Sequence, residues 1–258
     1  MRSLAVDSSE PQSIAATFKE LPLEVRPGKT RALTNAGPMR ILNGVKFLRR
    51  VQKMGVQERR ARQKRYLRQE ILDAASELFV RDGFENVSMR RIADKIEYSP
   101  TTIYLHFRDK AELLEQVCAE TFSRLQQRLS KILEQPGEPL ERLRRGLMAY
   151  IEFGLENPHH YRATFMMPVP EGFDERKYVK PDAPGMQAFD FLRRSVYDAI
   201  AAGKLSAKDA ELVSQTLWAG VHGITSLLII HENFPWVGRE KVARSVVETL
   251  LVGLERTK

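Results

Sequence analysis

The feature that most constrains the fold of this chain is a pair of helix-start signals that lie close together. They are Ser88 and Ser99, and a proline follows the second serine directly. Serine is a favoured N-cap, and proline is favoured at the first position of a helix. Ile92, Ala93 and Ile96 repeat at helical spacing after the first signal. The sequence therefore predicts two short helices with a tight corner between them.

Two short helices joined in this way are typical of a helix-turn-helix that binds DNA. In that motif the first helix crosses the phosphate backbone, and the N-terminal part of the second helix enters the major groove. The second helix here carries Thr101, Thr102 and Tyr104, whose hydroxyls can bond phosphate oxygens or base edges. Ile103 and Phe107 are expected to anchor the helix in the core. The pattern therefore predicts a DNA-binding element.

Segment 101–110, Thr-Thr-Ile-Tyr-Leu-His-Phe-Arg-Asp-Lys, resembles the recognition-helix signature of TetR/AcrR-type transcriptional regulators. Residues 71–79, Ile-Leu-Asp-Ala-Ala-Ser-Glu-Leu-Phe, and the Asp-Gly-Phe at 82–84 are similar to the first helix of that family and its glycine-terminated end. The resemblance covers roughly residues 66–122. Glu97 replaces the glycine that is usual in the turn, so we expect a slightly different backbone geometry there.

The resemblance also implies individual DNA contacts. Arg90 corresponds to a position that contacts bases in the family, and Thr102, Tyr104, His106 and Lys110 correspond to groove or phosphate contacts. Together with the capping and hydroxyl pattern, this gives a predicted DNA-binding set of Ser88, Arg90, Ser99, Thr101, Thr102, Tyr104, His106 and Lys110. The alternatives are that His106 is a solvated residue at a helix end and that Lys110 is an ordinary surface lysine.

Positive charge is concentrated at the front of the chain. The formal net charge of the 258 residues is +8, but residues 1–68 hold 16 lysines and arginines against 5 acidic residues, a net +11. The remainder holds 25 against 28, a net −3. The densest part is the run Arg-Arg-Ala-Arg-Gln-Lys-Arg at 59–65. We expect this run to act as a basic arm that reaches the minor groove or the phosphates, and a solvated charge run is the alternative.

Residues 1–57 are predicted to form a basic, mostly disordered N-terminal extension. Proline and glycine are scattered through it, and no sustained helical period precedes Ile41. The apolar residues between Ile41 and Val51 favour at most a short basic helix suited to DNA or anionic lipid. A mis-assigned start is an alternative hypothesis, in which translation begins at Met54 and residues 1–53 are untranslated or dispensable.

The predicted fold class is all-α, with an N-terminal three-helix DNA-binding domain that contains the helix-turn-helix and a C-terminal helical domain for ligand binding and dimerisation. The DNA-binding domain is assigned to 58–112 and the C-terminal domain to 113–258. A long loop rich in proline and glycine follows residue 167, and Ser206 begins a predicted capping box. Capping signals and periodicity place helices at 109–135, 140–156, 159–167, 187–202, 206–231 and 237–255.

An effector pocket is predicted in the C-terminal domain. The segment Trp-Ala-Gly-Val-His-Gly at 218–223 resembles a Trp...His-Gly signature of one TetR-type subgroup. Trp218 and His222 share a helix face, where they frame a ligand, lie at a dimer seam or form an ordinary core pair. Aromatic and methionine side chains near the long loop favour a hydrophobic or aromatic small molecule. The predicted pocket residues are Phe153, Tyr161, Phe165, Met166, Phe189, Trp218 and His222.

Two long apolar helices at the C-terminal end favour self-association. Small residues thin one side of the first of these helices, which permits close approach by another helix. In TetR-type regulators the last two helices of each subunit form a four-helix interface, so the resemblance implies a homodimer whose two DNA-binding domains address two half-sites. An intramolecular helix pair is the alternative. The predicted interface residues are Ala219, Gly220, Gly223, Leu227, Val246 and Leu250.

These features predict a sequence-specific transcriptional regulator, a repressor that a small hydrophobic or aromatic effector releases from a palindromic operator. A non-specific DNA-coating protein and, more remotely, a helical enzyme that uses its histidines are the alternatives. The sequence has no His-Glu-x-x-His, Gly-x-Ser-x-Gly or phosphate-binding glycine loop, and adjacent His159 and His160 make a poor chelate. The single cysteine, Cys118, excludes an internal disulfide and multi-cysteine metal sites. We expect no catalysis, no cofactor and no metal.

The sequence also bears on where the protein acts. Its longest apolar run, residues 224–230, is far shorter than the roughly 18 residues that a membrane span needs. The start lacks the basic region, apolar core and cleavage site of a secretory signal. We therefore expect a cytoplasmic, nucleoid-associated protein of bacteria whose partners are operator DNA, a second copy of the chain and a small effector, with no membrane.

Overall fold

The structure is a computed structural model that describes residues 39–171, 173, 180–206 and 209–254, with side chains from residue 55 onward. Over these residues the chain forms helices and no β-strand beyond an isolated bridge residue at Leu205, which confirms the all-α fold class. The α-helices are α1 (Met39–Asp82), α2 (Met89–Lys95), α3 (Pro100–Tyr104), α4 (Lys110–Leu133), α5 (Pro139–Glu156), α6 (Pro158–Phe165), α7 (Pro184–Ala201), α8 (Ala210–Ile230) and α9 (Arg239–Val252).

The first helix is longer than the sequence predicts. It begins at Met39, so residues 39–57 are helical although they belong to the extension that the sequence analysis describes as mostly disordered. The predictions for residues 1–38 lie outside the described residues. The chain divides into the units Met1–Gly55 and Val56–Lys258, and the sections below concern the second unit.

Three short-range caps build the DNA-binding domain. The side chains of Ser88, Ser99 and Asp109 each accept a hydrogen bond from the backbone N–H three residues later, at 3.2, 3.3 and 2.8 Å. Each cap satisfies a donor that the first turn of a helix leaves unpaired, and α2, α3 and α4 begin directly after these residues. Ile103 and Phe107 are buried, as predicted, and hold α3 against α1 and α4.

Helix α4 belongs to both hydrophobic cores. Leu113 and Val117 pack in the core of the DNA-binding domain, whereas Leu125 and Leu129 pack in the core of the C-terminal domain. Cys118 lies in the first of these cores, where burial raises the pKa of its thiol to about 11. The thiol therefore stays protonated and behaves as a small buried hydrophobe.

The C-terminal domain is a bundle in which α5, α7 and α9 pack around α8. Helix α8 starts four residues later than its predicted start at 206, at Ala210. Its N-cap is Asp209, whose carboxylate accepts hydrogen bonds from the N–H groups of Glu211 and Leu212 at 3.0 Å each. Ser206 is therefore not the cap, because Asp209 satisfies the first free N–H groups of the helix.

Helix α8 is the one described helix that is long and apolar enough to cross a membrane by length and composition. No such candidate was predicted from the sequence, because polar residues interrupt the apolar residues of this helix. Inside the bundle, 44% of the apolar stretch of this helix is buried. An apolar helix that packs against three neighbours is the usual core helix of a helical domain, and its unburied apolar residues leave a surface that another protein chain can cover.

The corner between α2 and α3 has the backbone of a glycine turn without the glycine. Glu97 has a φ of 60°, in the left-handed region. The N–H of Tyr98 bonds the carbonyl of Ala93 at 3.0 Å, and the N–H of Glu97 bonds that of Asp94 at 3.3 Å. This pair of bonds defines the Schellman motif that ends a helix. The expected change in corner geometry is therefore not seen in this dihedral, because the two hydrogen bonds hold Glu97 in a conformation that glycine adopts more easily.

We predict that Glu97→Gly stabilises the protein. The left-handed conformation costs a residue with a Cβ roughly 1–2 kcal/mol, and the extra freedom of glycine in the unfolded chain costs about 0.5–1 kcal/mol, so a net gain of up to about 1.5 kcal/mol is expected. Thermal and denaturant unfolding measure it. Glu97→Ala, which keeps the Cβ, is the matched control and should bring no such gain. A lower free energy of unfolding for Glu97→Gly would contradict the assignment.

Candidate nucleic-acid interface and ligand cavity

Helix α3 presents an exposed face that is suited to contact a partner. Thr101 is exposed, and the exposed fractions of Tyr104 and Leu105 are 55% and 76%. Tyr98, in the corner before the helix, is 42% exposed. Thr101 and Leu105 are four residues apart and lie on the same side, opposite the buried Ile103. Tyr98 and Leu105 are not in the predicted DNA-binding set, although they lie three residues before and four residues after Thr101, a spacing that places residues side by side on a helix.

Three of the hydroxyl groups that are predicted to contact DNA already form hydrogen bonds within the protein. The hydroxyls of Ser99 and Thr102 bond each other at 2.9 Å, and Ser99 also caps α3. Ser88 caps α2 in the same way. A hydroxyl has one donor and two acceptor positions, so these bonds leave capacity for phosphate oxygens. Arg90 is exposed on α2, where its guanidinium is accessible to a groove or backbone.

Lys110 has partners inside the protein. Its ammonium donates to the backbone carbonyls of Phe84 and Glu85 at 2.9 and 3.3 Å, and it lies 4.4 Å from the centroid of the Phe84 ring. These contacts tie the first turn of α4 to the short turn Phe84–Asn86 after α1. The free protein thus gives Lys110 a structural role, and a DNA contact by this residue stays a prediction.

Basic side chains of α1 lie beside the end of α3. The guanidinium of Arg68 sits 5.2 Å from the ring centroid of Phe107, and burial together with the charges of Lys64 and Arg68 lowers the pKa of His106. His106 is therefore uncharged at neutral pH, and the positive charge here comes from α1. The basic run 59–65 is exposed and part of α1, rather than the separate arm ahead of the first helix that the sequence predicts.

The C-terminal domain contains a largely apolar cavity of about 540 Å³ between α4, α5, α7 and α8. Three of the predicted pocket residues, Phe165, Phe189 and Trp218, line it. Ala219, predicted for the dimer interface, lines it as well. The volume and apolar character are those of small-molecule sites. Lining residues that the sequence analysis did not nominate include Phe122, Leu147, Tyr150, Met186, Phe191 and Gln215.

The other predicted pocket residues lie elsewhere. Phe153 and Tyr161 are buried in the core. Met166 lines a different cleft, of about 650 Å³, near the end of α1 and the loop after α6. His222 stacks on Tyr161, with ring centroids 5.6 Å apart, and is not among the residues that line the cavity. Periodicity placed all of them correctly on apolar helix faces without showing which faces enclose the cavity.

A largely buried hydrogen-bonded cluster adjoins this cavity, and two of its members, Tyr150 and Trp218, line it. The Tyr161 hydroxyl lies 2.6 Å from His222 Nδ1, and the Tyr150 hydroxyl lies 3.0 Å from that of Tyr161. Trp218 Nε1 donates to the Tyr150 hydroxyl at 3.3 Å. Burial raises the pKa of Tyr150 to about 12, also raises the pKa of Tyr161 and lowers the pKa of His222. All members of the cluster are therefore uncharged at neutral pH.

A second polar contact joins the two domains. Nε2 of the buried His160, in α6, lies 2.8 Å from Oδ1 of Asp73 in α1, and Nδ1 lies 3.4 Å from the hydroxyl of Thr121. Burial tends to raise the pKa of Asp73, but the hydrogen bonds from His160 and Gln69 outweigh it and leave the pKa below its usual value. Because Tyr161 is the next residue along α6, this one helix contacts both the cavity cluster and the DNA-binding domain.

The predicted interface residues divide into two groups. A Cβ at Gly220 would lie 2.6 Å from Leu250, so this glycine permits α8 and α9 of the same chain to pack closely. Val246 and Leu250 are half-buried against the same core. At Gly223, by contrast, a Cβ would meet nothing within 4 Å, and Leu227 is 46% exposed. Gly223 and Leu227 thus lie on an open face of α8.

Sequence comparison finds matches to known regulators. Residues 71–117 match the description "Bacterial regulatory proteins, tetR family", and residues 143–250 match "Tetracyclin repressor-like, C-terminal domain". An uncharacterised HTH-type transcriptional regulator of Haemophilus influenzae is 33% identical over 92 residues, which are 36% of this chain and 49% of that protein. The HTH-type transcriptional activator FasR of Mycolicibacterium smegmatis is 32% identical over 98 residues, 38% of this chain and 45% of its own. The chain thus spans about half the length of these curated relatives.

Solved structures share the fold. PfmR, a TetR family transcriptional regulator of Thermus thermophilus, has a TM-score of 0.62 at 24% identity over 72% of this chain and 99% of its own. The fatty acid degradation regulator FadR of Bacillus halodurans also has a TM-score of 0.62, at 16% identity over 73% of this chain and 97% of its own. The ketosteroid transcriptional regulator KstR2 of Mycobacterium tuberculosis has a TM-score of 0.57 at 20% identity over 74% of this chain and 95% of its own.

We predict that Tyr104→Ala weakens binding to a DNA fragment selected from a random pool by about 10-fold, because a good groove contact contributes roughly 1–3 kcal/mol. Fluorescence anisotropy with the selected fragment measures the affinity. Tyr197→Ala is the matched control, since Tyr197 is a tyrosine of α7 that is 66% exposed. Unchanged affinity for Tyr104→Ala would show that the exposed face of α3 is not the DNA-contacting surface.

Proposed function

Because the chain belongs to the TetR family of bacterial regulatory proteins, and is thus a DNA-binding transcriptional regulator, we propose that it is a repressor that a small, mainly apolar effector releases from a palindromic operator. The observation that carries this proposal is the cavity of about 540 Å³, whose wall cluster shares helix α6 with the contact to the DNA-binding domain. The protein would act on the nucleoid in the bacterial cytoplasm.

The names of similar regulators support an apolar effector. FadR is described as a regulator of fatty acid degradation, and KstR2 is described as a ketosteroid regulator. A long acyl chain and a steroid are both extended apolar bodies, which suits a cavity lined mainly by aromatic and aliphatic side chains. A non-specific DNA-coating protein would need no such cavity. FasR is described as an activator, so the repressor sign is part of the proposal and a promoter-fusion measurement decides it.

A homodimer forms the second part of the proposal. The outer face of α8 leaves Leu212, Leu227 and Ile230 exposed by 62%, 46% and 51%, and Gly223 leaves space beside them. An exposed apolar helix face of this kind suits a two-fold interface, in which the same patch of both copies meets. A two-fold dimer presents two α3 helices to half-sites one helical turn apart, or a multiple of it, so the operator would be palindromic.

The effector would act through a change in the distance between the two α3 helices. The effector would bind more tightly to the dimer whose two α3 helices are spaced wrongly for the operator. It would then lower operator affinity in proportion to its preference for that dimer, without contacting DNA. Two routes could transmit the shift. One is α4, which packs in both cores. The other is α6, in which Tyr161 bonds the cavity-lining Tyr150 and His160 contacts Asp73.

We predict that Gly223→Arg converts the dimer to a monomer. The new side chain meets nothing within the chain itself but would place a charge in the proposed interface. Arginine is also a better helix former than glycine by about 0.8–1 kcal/mol, so α8 should persist. Light scattering gives the mass and circular dichroism the helicity. Ala202→Arg, at an exposed site after α7, is the control. A Gly223→Arg protein that remains dimeric would exclude this face of α8.

We predict that His160→Ala separates effector binding from operator release. A compound that lowers the operator affinity of the parent protein, found by screening apolar compounds, should still raise the melting temperature of the variant. The factor by which the compound lowers operator affinity should be smaller in the variant by about 5-fold or more, because allosteric coupling energies are roughly 1–3 kcal/mol.

The neighbouring His159→Ala is the matched control, since His159 is exposed on the same helix. Equal coupling in the parent and in His160→Ala would exclude the α6 route and leave α4. If no compound in the screen changes operator affinity, the effector part of the proposed function is wrong.

A further inference from the structure

We infer that the effector carries an uncharged hydrogen-bonding group, such as a hydroxyl or the carbonyl of a ketone, ester or amide, which bonds the Tyr150 hydroxyl, and that the cavity disfavours free carboxylates. The inference deepens the proposed function and rests on it. Tyr150 is the member of the buried cluster whose hydroxyl lies between the cavity-lining Trp218 and the fully buried Tyr161.

The charge of the cavity lining is the first argument. Among the described residues that line it, none is a lysine, arginine or histidine, and Glu211 is the only charged one. Its carboxylate is already paired with Arg193, Nε to Oε2, at 2.8 Å. An anionic group inside this cavity would lose its hydration and find no described cation, which costs far more than burying a neutral polar group that gains a hydrogen bond.

The hydrogen-bond capacity of Tyr150 is the second argument. If His222 carries its proton on Nδ1, it donates to Tyr161, Tyr161 donates to Tyr150, and the Tyr150 O–H is free to donate to a ligand. If the proton is on Nε2, near Ser226 Oγ at 3.4 Å, Tyr161 donates to His222 and Tyr150 donates to Tyr161. The Tyr150 oxygen then accepts from Trp218 and retains one lone pair.

The Tyr150 hydroxyl also lies 3.3 Å from His222 Nδ1, but Tyr161 lies closer to that nitrogen, at 2.6 Å, and forms the hydrogen bond to it. With Tyr161 bonded to His222, either direction of the cluster leaves one hydrogen-bonding position at Tyr150 for a ligand. A ligand carbonyl would select the first arrangement, and a ligand hydroxyl fits both. Because all three groups are uncharged at neutral pH, the cluster supplies a hydrogen bond but no countercharge. The apolar body of the ligand would pack on Phe189 and Trp218, whose rings meet edge to face at 5.9 Å.

Three probes of equal chain length test the inference by calorimetry on the full chain without DNA: 1-octanol, octanoate and 1-chlorooctane. At a pH where the carboxylate is ionised, 1-octanol should bind at least about 10-fold more tightly than octanoate. It should bind about 3- to 10-fold more tightly than 1-chlorooctane, which lacks the hydroxyl. Tyr150→Phe should remove the advantage of 1-octanol over 1-chlorooctane and leave the affinity for 1-chlorooctane unchanged. Tyr197→Phe, on the exposed side of α7, should change none of the three affinities.

The outcomes separate this inference from the proposed function. If octanoate binds most tightly, or if Tyr150→Phe weakens all three probes equally, the neutral-group inference is overturned while the cavity remains a ligand site. If none of the three probes binds the parent protein, the apolar effector of the proposed function fails and the inference fails with it. Retention of the octanol preference in Tyr150→Phe would assign the hydrogen bond to another group and also overturn the inference.

Discussion

Both hydrophobic cores of this protein depend on one helix, α4. Its first turns bury Leu113 and Val117 in the DNA-binding domain, and its second half buries Leu125 and Leu129 in the C-terminal domain. Interiors are close-packed, so a tilt of α4 cannot be absorbed in one core alone. Helix α4 therefore both lines the cavity and holds α3, so the orientation of the exposed face of α3 depends on how the C-terminal domain is packed.

The two polar contacts of α6 differ in what they contribute. The pair of His160 and Asp73 has one half-exposed partner, so its contribution to stability is small, and its importance is its position between the domains. The cluster of Tyr150, Tyr161 and His222 is largely buried, and loss of one partner leaves a polar group without a hydrogen bond. The adjacency of Tyr161 and His160 along α6 brings a cavity-wall contact and a domain contact into one short element.

Particular residues show how far sequence reasoning reaches. Ser88, Ser99 and Asp109 start helices as predicted, because a cap depends on residues within one turn. The same reasoning placed the cap of α8 at Ser206 instead of Asp209, since both residues are good caps and only the packed helix selects one. At Glu97 the residue type suggested an altered corner, but the two hydrogen bonds that end α2 determine the backbone there.

The sequence by itself determined the family, the all-α fold class and the position of the helix-turn-helix, because periodicity, caps and the recognition motif are local properties of the chain. Tertiary structure alone decided which apolar faces enclose the cavity and which remain open. Phe165 lines the cavity whereas Phe153 is ordinary core, and Gly220 is filled by Leu250 whereas Gly223 is open. The physical reason is that periodicity shows which side of a helix is apolar, whereas only the placement of neighbouring helices determines what covers that side.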